Sequence, residues 1–159
     1  MEKINYIVIH CAATQNGKKL SHNAATASQI IDGWHQERGF HRSVQARHYF
    51  NYELAAIGYH FVIDTDGQQY TGRAIWEQGA HVKGWNENSL GICLVGTDKF
   101  TRQQWHALAR LLDKLKDKYP NAQIVGHRDF PNVHKSCPGF SVKDYLFDMD
   151  KVVNAHLCE

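Results

Sequence analysis

"GYHFVIDTDGQQYTGR", residues 58–73, sets two strand-like runs on either side of Asp66-Gly67. That dipeptide suits a type I′ turn, so the stretch predicts a β-hairpin. Strands mixed with helices, and at least one hairpin, argue for a mixed α/β sheet with helices against it. "INYIVIH" (4–10) is continuous, rich in β-branched residues and short enough for a buried strand. "LGICLVG" (90–96) and "AQIVGH" (122–127) read the same way. Together they predict an α/β fold: a single domain over 1–159 with a mixed central β-sheet and helices packed on its faces.

Between the strands, "TASQIIDGWHQERG" (26–39) puts Ala27, Ile30, Ile31 and Trp34 on one helical stripe, with Gly39 as the stop. Thr101 and Gln104 form a capping box, and Phe100 and Trp105 occupy the positions of a hydrophobic staple. Leu108, Leu111, Leu112, Leu115 and Tyr119 then make the apolar face of a long helix that Pro120 ends. Ser141 with Asp144 caps a final helix carrying Tyr145 and Leu146. Residues 41–57 read as either a helical insertion or a long loop.

Composition narrows the function. At 159 residues the chain buries its own core without disulfides, and its four cysteines, at 11, 93, 137 and 158, show no paired spacing, so they are read as thiols. Cys11 and Cys93 are expected to be buried and inert, and Cys158 exposed. A net charge of +2 comes from scattered Lys and Arg, which argues against nucleic acid. No run approaches the ~18 apolar residues of a membrane helix, and the first ten residues lack the pattern of a secretory signal. Eleven histidines are the outlier.

Chemistry concentrates in "GHRDFPNVHKSCPGF" (126–140). A catalytic zinc site takes three protein ligands and keeps a fourth position open, and mixed His and Cys donors suit that ion. His127 and Cys137 supply two donors if the loop between them folds back. His10 supplies the third if its strand lies beside "QIVGH". A rival reading makes Cys137 a nucleophile with His127 or His134 as base and Asp129 as orienter. No helix N-terminus follows Cys137 to lower its pKa, since Pro138 and Gly139 come next. The zinc-deaminase pattern is absent.

Five blocks, "IVIHCAAT" (7–14), "IIDGWHQERGF" (30–40), the hairpin stretch, "GAHVKGWNENSLGICLVG" (79–96) and "GHRDFPNVHKSCPGF", together resemble the type-two zinc-dependent N-acetylmuramoyl-L-alanine amidases. Phage lysozymes with amidase activity and animal peptidoglycan recognition proteins belong to that family. The likeness runs in order over about residues 4–146. It implies one Zn²⁺ held by His10, His127 and Cys137, a catalytic tyrosine at Tyr59 and a catalytic lysine at Lys135. The gap from His127 to Lys135 is about two residues longer than in the nearest phage-like pattern, which leaves His134 as a rival near the metal, and the 41–57 segment is also long.

By resemblance the substrate is peptidoglycan, and the bond is the amide joining N-acetylmuramic acid to the L-alanine of the stem peptide. Lys135 or Tyr59 would steady the developing oxyanion, and one of them would pass the proton to the leaving amine. His35, His81, Trp85 and Asn86 are assigned to substrate binding. For each a plainer reading exists: His35 packed in its helix, Trp85 plugging the core, Tyr59 a strand aromatic, Lys135 a solvated loop cation. The lack of a signal favours a phage or prophage endolysin, made in the cytoplasm, acting on the wall after release and working as a monomer. The alternative is a recognition module on the same fold that binds wall fragments without cutting them.

Overall fold

The computed structural model describes residues 3–159; Met1 and Glu2, counted above within the domain, lie outside it. Five strands form one sheet in the order β3-β2-β4-β1-β5. They are β1 (Tyr6–Cys11), β2 (Phe61–Ile63), β3 (Gln69–Thr71), β4 (Ser89–Leu94) and β5 (Gln123–Gly126). β1 runs parallel to both β4 and β5, and β2 is parallel to β4 but antiparallel to β3, so the sheet is mixed as expected. β3 and β5, the edges, are only three and four residues long.

The hairpin forms, but its turn is not type I′. Asp64 N–H donates to the Gln68 carbonyl and Gly67 N–H to the Asp64 carbonyl, which leaves a three-residue loop. Gly67 alone in that loop has positive φ, 83°, so the turn ends in a left-handed glycine bulge. Asp66 is free to stay on the ordinary side of φ.

Both faces of the sheet are covered. Ile7, Ile9, Ile63, Leu90, Ile92 and Leu94 pack in one cluster with Leu108, Leu111, Leu112 and Leu115 of α3 (Arg102–Lys118). Alternate residues Val62 and Cys93 pack with Ala27 and Ile31 of α1 (Ala27–Glu37) on the other side. The α3 capping box is formed, and the Phe100 and Trp105 rings meet edge-on at 5.6 Å. Ser141 caps α4 (Val142–Phe147) as expected; that helix is not final, because Asp148 caps a further α5 (Met149–Ala155).

α1 is rotated from its expected stripe. Ala27 and Ile31 are buried, but Trp34 is exposed and Asp32 and His35 lie inside instead. The polar pair is tolerated because both find partners. Asp32 accepts the N–H groups of Ala55, Ala56 and Ile57, and Gly58 N–H donates to His35 Nδ1 at 2.9 Å. Those bonds answer the question left at residues 41–57. The segment is a six-residue helix, α2 (Val44–Tyr49), followed by a loop tied to α1 through Asp32 and to Glu77 through the buried Arg42, whose guanidinium also donates to the carbonyls of Phe50, Asn51 and Leu54.

Candidate metal centre

β1 ends where the site begins. The chain leaves β1 over one face through α1 and leaves β4 over the other through α3, so the carboxyl ends of these parallel strands open into the crevice where such folds bind ligands. Register places Ile9 opposite Gly126, and the next residues on the two strands are His10 and His127. Their rings lie 4.7 Å apart between centroids. The loop from 127 to 137 folds back as anticipated: Arg128 N–H donates to the Cys137 carbonyl at 2.9 Å. This returns Cys137 to the strand ends, with its Sγ 3.9 Å from His10 Nδ1.

One nitrogen from each of His10 and His127 and the sulfur of Cys137 all lie within 4.8 Å of one another. Two imidazoles and a thiolate match a borderline-soft divalent ion, and three such donors would leave the fourth position of a tetrahedral site for water or substrate. Burial first, then neighbouring cationic groups, lower the pKa of His10 and His127, so both stay neutral and able to donate a lone pair. His134 is exposed and does not join the group.

A cavity of about 320 Å³ opens beside these donors, and His35, Tyr59, His81, Asn86, His127 and Lys135 are among the residues that line it. The Tyr59 ring sits 5.1 Å from His10 and 5.3 Å from His35. Burial pushes the Tyr59 phenol well above its ordinary pKa, which keeps its proton in place. Lys135 is exposed at the rim, and its charge reaches both His10 and His127. Arg38 and Lys83 add further positive charge to the wall, and no described carboxylate lines it.

The other expected contacts divide. Asn86 Oδ1 accepts from the N–H groups of His81 and Val82, both at 2.8 Å, which shapes the loop that faces the cavity. Trp85 packs edge-on against Tyr6 and tilted against Phe130, within a small apolar cluster, as the plug reading has it. His81 lies 2.8 Å from His10 through its Nδ1 and 3.3 Å from Ser89 Oγ through its Nε2.

Cys11 corrects an expectation. Cys93 is buried and all four cysteines are free, but Cys11 is half-buried beside Cys137, and Cys158 is half-buried too. Cys11 N–H points at Cys137 Sγ from 3.2 Å. The first thiolate of this pair is favoured by the other thiol's hydrogen bond, while the second is pushed up by losing that bond and by burial. The spacing of the cysteines gave no sign of this contact, because it depends on the return of the 127–137 loop.

A family model described as N-acetylmuramoyl-L-alanine amidase matches residues 1–140. The chain belongs to this amidase family. Among its curated relatives, the endolysin of Enterobacteria phage K11 is 32% identical over 153 residues, covering 91% of this chain and 87% of that one. The endolysin of Escherichia phage T7 is 35% identical over 150 residues, covering 89% and 85%. A solved amidase structure, LysC from Clostridium intestinale URNW, aligns with a TM-score of 0.67 at 26% identity, over 98% of this chain and 87% of that one. Within the family frame, the mixed sheet stands as expected.

Proposed function

We propose that this chain is a zinc-dependent peptidoglycan hydrolase that cuts the amide between N-acetylmuramic acid and the L-alanine of the stem peptide. The observation that carries this reading is the His10, His127 and Cys137 donor set, drawn together beside an open cavity by two parallel strands and one closed loop. All of 1–159 acts as one catalytic domain. Bound there, Zn²⁺ supplies Lewis acidity, which polarises an amide carbonyl and makes water a competent nucleophile near neutral pH.

The chain's own residues do the rest. Tyr59, held protonated by burial, offers an O–H donor beside His10. Lys135 at the rim presents an ammonium to the oxygen that gains negative charge, the kind of preorganised donor that lowers an acyl-transfer barrier. The positive wall suits a stem peptide that carries carboxylates. His35 and Asn86 frame the groove, and Trp85 supports it from behind. Acting as a monomeric endolysin of phage or prophage origin, the chain meets the wall after release; no described helix is long and apolar enough to cross a membrane.

Incubating purified sacculi with the zinc-loaded chain tests this. Mass analysis is expected to show free stem peptides beginning at L-alanine and glycan strands left whole, with EDTA stopping release. Activity that resists EDTA but yields to an alkylating agent would return Cys137 to the nucleophile role. Sacculi bound but uncut would mark a recognition module instead.

A further inference from the structure

We infer that His81 is a positioning residue for the metal site, fixing His10 in the one tautomer whose lone pair faces the other donors. The inference rests on the zinc reading above. Its basis is a chain of hydrogen bonds whose direction is set at its far end. Ser89 Oγ lies 2.8 Å from the Trp85 carbonyl, which can only accept, so the hydroxyl donates its single proton there. Facing His81 Nε2 at 3.3 Å, Ser89 Oγ therefore accepts, and His81 carries its proton on Nε2. His81 Nδ1 is then bare. Across 2.8 Å it accepts from His10 Nε2, which must hold the His10 proton. What remains on His10 is the Nδ1 lone pair, the atom that faces Cys137 Sγ.

The seat of the His81 ring is built to hold this geometry. A Cβ at Gly91 would stand 2.8 Å from its Cγ and Nδ1, and a Cβ at Gly79 would stand 2.7 Å from its Cδ2. Two glycines from separate segments thus make room for one imidazole. Asn86 anchors the backbone at the same residue by accepting its N–H. Both ring nitrogens of His81 are engaged inside the protein, which leaves neither to recognise substrate. A ligating histidine whose second nitrogen is held by an acceptor is oriented before the ion arrives, and losing such a partner weakens metal binding.

The test compares His81→Leu, which fills the seat without an acceptor, with His81→Asn, whose Oδ1 falls near the place of Nδ1. Zinc affinity is read by competition with a chromophoric chelator, and the fold by the thermal midpoint of each metal-free chain. His81→Leu is expected to bind zinc on the order of 10–100-fold more weakly, with His81→Asn keeping most of the affinity. In metal-free wild type, the imidazole ¹⁵N shifts of His10 are expected to report the Nε2–H tautomer. Wild-type zinc affinity in His81→Leu, equal losses in both variants, or an Nδ1–H tautomer would each overturn the inference and leave the zinc reading standing. A wild-type chain that takes up no zinc would overturn that reading, and this inference with it.

Discussion

Cys137 and Lys135 sit two residues apart and have separable duties. Cys137 is half-buried among the donors, and its replacement by Ala removes the only sulfur of the set. Cys137→Ala is expected to come off the column without stoichiometric zinc and to leave sacculi intact, as elemental analysis and a turbidity assay would read. Lys135 is not one of the three donors and stands exposed at the cavity rim. Lys135→Ala should keep its zinc but lose turnover by roughly 10²–10³-fold, the scale of one missing oxyanion donor. Turnover at the wild-type rate in that variant would remove the lysine from the chemistry.

At the scale of elements, α2 and its loop stand or fall with Arg42. Its guanidinium is buried, pairs with Glu77 at 2.8 Å and donates to three loop carbonyls. Arg42→Met would strand those carbonyls away from water and leave Glu77 only the Ala74 N–H and the 3.8 Å pairing with Arg73, and breaking a buried pair in this way costs up to about 3–5 kcal/mol. A urea titration checks it; a midpoint equal to that of wild type would mean that water replaces the guanidinium. This anchor was illegible in the sequence, where "HRS" looks like any polar loop, because its partners lie up to 35 positions away. Strands β1, β4 and β5 were readable because a buried parallel strand announces itself as an unbroken apolar run. The rotation of α1 was not, since nothing local tells that Asp32 will meet three backbone amides and go inside. For the site, His10, His127 and Cys137 came from motif order, and their convergence is a matter of register between strands distant in the chain. The tie between His10 and His81 needed coordinates.

Across the whole molecule, buried histidines make stability depend on pH. His60 is fully buried, accepting from Gly91 N–H and donating to the Glu77 carbonyl, and His35 is nearly so. Burial lowers both from 6.5 to about 4. Between those values the unfolded chain binds protons that the native chain refuses, so stability rises with pH across this window and is lost on acidification. The loss by about pH 4 is on the order of 3 kcal/mol for each group. Urea midpoints of the metal-free chain are expected to fall steadily from neutral pH toward about pH 5, and a flat profile there would mean that these imidazoles are already charged in the native state.

The stubby rims of the sheet matter for how copies of the chain can meet one another. With three residues on one side and four on the other, either border offers a neighbouring copy too few unpaired amides to template on. Edges this short give a neighbouring copy little backbone to zip onto border to border.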